Sequence, residues 1–395
     1  MLRSPRAFRA LNPPRSARLP ALLSALAAAV LAGCAALPPV ATAPAAPAPG
    51  PAPAVPKALV IGHRGASALR PEHTLASYQR AIDDGADVVE PDLVMTRDGV
   101  LVARHENEIG TTTNVAELPQ FASRKRIKVI DGERLNGWFT EDFTLAELKT
   151  LRARERIAQV RKANTQYNDK FEIPTFDEII ELVAKASQHS GRVIGLYPET
   201  KHPSYFRGIG LPLEEKLVAT LQAHAYTRSA PVFVQSFETG NLREMRQRLA
   251  QGMPNVKLIQ LMGGAKNRPA DWRLAGDTRT YADMMTPIGL RELASYANGI
   301  GPEKSSVVPR DANGNLGTPT ALVRNAHAQG LLVHPYTFRP ENTFLPRNLR
   351  TGGDDATRSP GGMVREVQAF LAAGIDGFFT DDPALGREAV DTLGR

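Results

Sequence analysis

The chain has 395 residues, 42% hydrophobic and 23% charged. That is enough to bury a sizeable core, so disorder is excluded as the main state, and one α/β barrel with insertions can account for the length. Lys and Arg exceed Asp and Glu by seven, but five of the arginines (Arg3, Arg6, Arg9, Arg15, Arg18) lie in residues 1–33, where there is no acid. Beyond them the excess is two, which gives little support to nucleic-acid binding, and no nucleic-acid partner is expected. The single cysteine, Cys34, excludes an intramolecular disulfide and a cysteine-based zinc cluster.

In chain order, the arginine-bearing start gives way to an apolar stretch, Leu19–Leu31. It is too short for a spanning helix, which needs about 20 residues, and it fits a signal-peptide core. It ends in Leu31-Ala32-Gly33-Cys34, which resembles the lipobox of bacterial lipoproteins. We therefore expect a signal peptide over 1–33 and a lipid-bearing Cys34. Residues 34–56 are rich in Ala and Pro and form an expected tether, and 57–395 form the folded domain. The resemblance implies a membrane partner through the lipid anchor, and a place in the bacterial cell envelope. Because Ala35 rather than Asp follows the cysteine, that place is the outer membrane, facing the periplasm.

The remainder alternates strand and helix patterns. Ala58–Gly62 is a short apolar run ending at His63, and Thr74–Asp84 has helical spacing. Val88–Met95 reads as a strand, and Asp98-Gly99 turns it back through Val100–Arg104. Helices are expected at Phe176–Ser187, Pro212–Ala223, Thr239–Leu249, Thr320–Gln329, Val364–Ala373 and Leu385–Leu393. Strands are expected at Val193–Tyr197, Val232–Phe237, Lys257–Met262, around Gly299–Gly301, at Leu331–Tyr336 and at Gly377–Thr380. Such alternation implies a parallel sheet, and about eight strands favour a closed TIM (β/α)8 barrel. No Gly-x-Gly-x-x-Gly opens the first helix, which argues against dinucleotide binding. Residues 107–172 and 263–298 fit the repeat poorly and are expected to be insertions at the substrate end.

In such a barrel the active site lies at the C-terminal strand ends. Glu90 and Asp92 are two apart and share a strand face, and Glu199 ends the next strand. Inward-facing carboxylates repel unless a cation joins them, and three oxygen donors without cysteine suit one hard divalent ion, Ca²⁺ or Mg²⁺. His63 and His105 have the near-neutral pKa needed for an acid–base pair. Arg64 suits a phosphate oxygen and Lys201 adds a second positive charge. Gly65 is expected to let a ligand approach the backbone. His189, His202, His224 and His327 carry no such pattern.

His63-Arg64-Gly65-Ala66-Ser67, Pro71-Glu72-His73-Thr74, Gly85-Ala86-Asp87, Glu90-x-Asp92, Thr96-Arg97-Asp98-Gly99 and His105 together resemble the glycerophosphodiester phosphodiesterases. Pro198-Glu199-Thr200-Lys201, His334-Pro335-Tyr336-Thr337 and Phe379-Thr380-Asp381 continue the resemblance in order, closest to the bacterial periplasmic branch. It implies a TIM barrel, a small-molecule glycerophosphodiester substrate, and hydrolysis to sn-glycerol 3-phosphate and an alcohol. It also implies His63 and His105 as catalytic residues, and Glu90, Asp92 and Glu199 as ligands of one divalent cation, which we expect to be Ca²⁺ before Mg²⁺. Arg64 and Lys201 would bind substrate. Two positions depart from the common pattern: Glu106 replaces Asp after the second histidine, and His73 stands where Asn is frequent. An intact-phospholipid phosphodiesterase and a non-catalytic binding lipoprotein are the alternatives. The intact histidine pair and acid trio weigh against the second.

Overall fold

The computed structural model describes residues 57–250 and 252–393. The expected signal segment and tether, with Cys34, lie outside the described residues. The strands are β1 (Leu59–His63), β2 (Val88–Glu90), β3 (Asp92–Met95), β4 (Leu101–Ala103), β5 (Arg126–Ile130), β6 (Glu133–Gly137) and β7 (Gly195–Leu196). They continue with β8 (Glu199–Thr200), β9 (Val232–Ser236), β10 (Val256–Met262), β11 (Gly299–Pro302), β12 (Leu332–Val333) and β13 (Gly377–Thr380).

Eight of these hydrogen-bond in parallel in the order β12-β11-β10-β9-β7-β2-β1-β13, so chain neighbours are sheet neighbours all the way round. The two ends meet just beyond β12. The Asp376 and Phe379 amides donate to the Val333 and Pro335 carbonyls at 3.0 and 3.1 Å, and Phe338 forms a parallel bridge with Thr380. The expected α/β architecture of the TIM type is thus present, with prolines dividing its ladders. Pro91 separates β2 from β3 and Pro198 separates β7 from β8, because neither has an N–H to donate. Their carbonyls still accept, from Glu199 at 2.9 Å and Gln235 at 3.0 Å, so the strands change direction without parting. Asp98-Gly99 joins the antiparallel pair β3–β4 as expected.

Strand alternation builds the site directly. Ile61, Val88, Tyr197, Phe233 and Phe379 form one buried apolar cluster with Ile259. Two residues further along each of the first five segments stand His63, Glu90, Glu199, Gln235 and Asp381. With a period of two, the residue after next faces the same way. An apolar layer therefore floors a polar one, and the polar layer sits at the C-terminal strand ends. A larger apolar cluster, including Val60, Tyr78, Val89, Phe176 and Leu217, fills the space between strands and surrounding helices. Thr175 and Glu178 cap the helix Phe176–Ser190 reciprocally, and Gly191 ends it at φ 67°.

Residues 107–172 do form an excursion, containing the β5–β6 hairpin and several 3-10 turns. Residues 263–298 require a correction. Their last part, the helix Pro287–Ala294, buries Leu290 and Leu293 and is the barrel's own connection into β11. Pro287 occupies the first helical turn, where its missing N–H costs nothing, so it marks a helix start rather than a break.

Candidate active site

A cavity of about 130 Å³ opens at the C-terminal strand ends, lined by His63, Arg64, Glu90, Asp92, His105 and Glu199 among others. Clefts of about 240 and 510 Å³ adjoin it on two sides. All seven residues expected in this region are brought together, since Lys201 lies against Glu199 and Asp92. Cys34 lies outside the described residues.

The three carboxylates are buried, and one oxygen from each falls within 4.8 Å of the others. Glu90 accepts from the Arg64 amide at 2.8 Å and from Gln235 Nε2 at 3.1 Å. Asp92 Oδ2 accepts from His73 Nε2 at 2.8 Å and faces Arg64 Nε at 3.5 Å. Asp92 Oδ1 is buried with no hydrogen-bond partner among the described residues, and Lys201 Nζ is 4.0 Å away. Glu199 Oε1 accepts from Lys201 Nζ at 2.8 Å. Burial and the two neighbouring acids push Glu90 well up, and burial pushes Glu199 up to about 8. Asp92 is also raised by burial, but Lys201, His105 and His73 together outweigh this and hold it well down. A buried acid trio whose members repel one another, with an unpartnered oxygen on Asp92, fits a hard divalent cation.

Both histidines back onto carboxylates. His63 Nδ1 lies 2.6 Å from Asp381 Oδ1, and His105 Nδ1 hydrogen-bonds Glu106. Asp381 is held well below the usual carboxylate range, because Arg339 and Arg161 outweigh its burial. An ionised carboxylate only accepts, so each neutral imidazole carries its proton on Nδ1 and leaves Nε2 free to take one. Burial and Arg64 lower the pKa of both histidines, and Lys201 adds to this at His105.

Arg64 adopts φ 58°, which lets its amide reach Glu90 while its guanidinium reaches Glu72 at 2.8 Å. Gly65 is also required by packing. At φ 90° a Cβ there would stand 2.4 Å from Ser77 Oγ, so glycine is needed for loop-to-helix packing. Sequence reasoning also missed the roles of His73, Gln235, Asp381 and Arg339. The alternation Phe233–Gln235 and Phe379–Asp381 was the available signal for two of them. His73, fully buried between Asp92 and Tyr78, had none beyond its motif. Of the histidines without a pattern, His202, His224 and His327 each pair with an acid away from the trio.

A family model described as the glycerophosphoryl diester phosphodiesterase family matches residues 63–385. A glycerophosphodiester phosphodiesterase of Arabidopsis thaliana is 38% identical over 336 residues, covering 81% of this chain and 82% of that protein. One from Haemophilus influenzae is 28% identical, covering 84% and 89%. A solved structure from Silicibacter pomeroyi, assigned to the same class, shares the fold with a TM-score of 0.59 at 20% identity, covering 85% of this chain and 94% of that one.

Proposed function

This chain belongs to the glycerophosphoryl diester phosphodiesterase family and is an enzyme of that class; from that premise we propose that it hydrolyses glycerophosphodiesters to sn-glycerol 3-phosphate and an alcohol by metal-dependent, two-histidine catalysis. The observation that carries the reading is the buried trio Glu90, Asp92 and Glu199 with its unpartnered Asp92 oxygen, beside two histidines in the same cavity.

Glu90, Asp92 and Glu199 would hold one divalent cation, Ca²⁺ before Mg²⁺. When bound, such an ion supplies positive charge for the phosphate oxygens. Arg64 and Lys201 line the same polar layer and stabilise the charge that grows on the non-bridging oxygens. One imidazole, neutral, takes a proton from the attacking hydroxyl at Nε2, and the other, protonated at Nε2 once the anionic phosphate is bound, gives that proton to the leaving alkoxide. Asp381 and Glu106 stabilise the imidazolium that each histidine becomes. The floor of Tyr197, Phe233 and Phe379 excludes water from below. The adjoining clefts give a diester room for two arms.

The reading is tested by following a glycerophosphodiester by phosphorus NMR with purified, metal-loaded protein. A phosphomonoester signal identical to sn-glycerol 3-phosphate is expected, and an unchanged diester would refute it. Cleavage of intact phospholipid in its place would favour the alternative substrate.

The lipid-anchored location belongs to the same proposal. Cys34 carries the anchor and holds the enzyme at the bacterial outer membrane, facing the periplasm. Cys34→Ala should release the protein from membranes or leave it unprocessed, and unchanged mass and fractionation would contradict this.

A further inference from the structure

We propose that the excursion 107–172 is part of the catalytic apparatus: its Arg156 and Arg161 are positioning residues that fix the carboxylates behind both histidines. The inference rests on the reading of His63 and His105 as the proton-transfer pair.

Arg161 is buried, its side chain 6% exposed. Its Nη2 donates to Asp381 Oδ2 at 2.6 Å, while Asp381 Oδ1 faces His63. Nε and Nη2 reach Glu341 at 2.8 and 3.3 Å, and Nη1 reaches the Ser67 carbonyl at 2.9 Å. Arg156 forks across two acids. Its Nη1 and Nη2 meet Glu106 at 3.1 and 2.6 Å, and Glu106 accepts from His105. Its Nε and Nη2 meet Glu72 at 2.9 and 2.6 Å, and Glu72 accepts from Arg64 at 2.8 Å.

Each imidazole is therefore the front of a histidine–carboxylate–arginine chain, and both chains end on one short segment. A guanidinium presents planar, fixed donors, which hold a carboxylate in one plane where a lysine would supply only a point charge. A carboxylate so held keeps the imidazole in one tautomer and one orientation. The placement of this single segment thus sets both proton-transfer groups, and through Glu72 it also sets Arg64. Arg339 Nε also holds Asp381, at 2.9 Å, whereas among the described residues Arg156 alone of the arginines hydrogen-bonds Glu106, so the His105 side has less redundancy.

The test uses steady-state kinetics and thermal melting on Arg156→Gln, Arg161→Ala and Arg161→Lys, beside His63→Ala and His105→Ala. Two glycerophosphodiesters are compared, one with an alkyl alcohol and one with p-nitrophenol. The arginine variants should lose on the order of 10–100-fold in kcat. KM should hold in the Arg161 variants and rise in Arg156→Gln, because Glu72 steadies Arg64. The arginine behind the general acid should show a defect that shrinks with p-nitrophenol, a leaving group that needs no proton. Arg161→Lys keeps the charge and loses the fork, which covers failure of Arg161→Ala to fold. Wild-type kcat in folded Arg156→Gln and Arg161→Lys, with both histidine variants inactive, would overturn the inference alone. Equal defects on both substrates in every variant, tracking the melting temperature, would reduce the arginines to structural supports and overturn it too. A metal-loaded wild type that turns over neither substrate would overturn the functional reading, and the inference with it.

Discussion

Metal removal should destabilise the folded chain measurably, because it leaves the acid trio without the ion that joins it. The ligand oxygens of Glu90, Asp92 and Glu199 lie within 4.8 Å of each other. At an effective dielectric constant near 20, each ionised pair at that distance repels by about 3.5 kcal/mol. Two cations oppose this: Lys201, 2.8 Å from Glu199, and Arg64, 3.5 Å from Asp92. Burial and this repulsion keep protons on Glu90 and Glu199 in the metal-free site, and an arriving divalent ion displaces them. A divalent ion that binds only the folded state at about one hundred times its Kd would stabilise it by about 2.7 kcal/mol. For a domain of this size that is roughly 5 °C in melting temperature. Calorimetry in chelator and then in excess Ca²⁺ measures it. Glu199→Gln keeps the side-chain shape, removes one ligand charge and should abolish most of the shift. A wild-type melting temperature equal in chelator and Ca²⁺ would refute the reasoning, as would an undiminished shift in Glu199→Gln.

His63→Ala and His105→Ala should each lower kcat on the order of 10²–10⁴-fold while the chain stays folded, checked by kinetics and melting on one preparation. The losses need not add, because the pair acts as a unit. Glu238 offers a test away from the chemistry. Burial, with Asp271 and Asp131 nearby, pushes its pKa up to about 8 although Ser204 hydrogen-bonds it. A folded pKa above the unfolded one means that its contribution is whole below the unfolded value near 4.5 and is lost as pH rises towards 8. Glu238→Gln should therefore gain on the order of 2 kcal/mol over wild type at pH 7 and match it below about pH 4. Parallel stability curves would contradict the assignment.

The site was legible in the sequence where strand periodicity carries it. An apolar residue followed two positions later by a polar one, as in Ile61–His63 and Val88–Glu90, states which side chains share the barrel interior. Motif residues His105, Glu199 and Lys201 follow from the same logic at neighbouring strand ends. What was not legible is pairing across distance. Asp381 is 318 residues from His63, and Arg161 is 220 residues from Asp381, separations at which no local pattern exists. Glu106 was visible beside His105, yet only the folded excursion reveals Arg156 behind it. At 263–298 the poor fit to the repeat hid a short helix of the barrel itself, which the structure starts at Pro287. The packing constraint on Gly65 was not legible either, because Ser77 meets it only once the first helix has packed.

The most direct test of the account is the release of sn-glycerol 3-phosphate from a glycerophosphodiester by purified wild type and Glu199→Gln, each assayed in chelator and again after Ca²⁺ or Mg²⁺ is restored. The account predicts product from wild type only when the ion is present, and little from Glu199→Gln in either condition. Equal turnover by both proteins in chelator would contradict it.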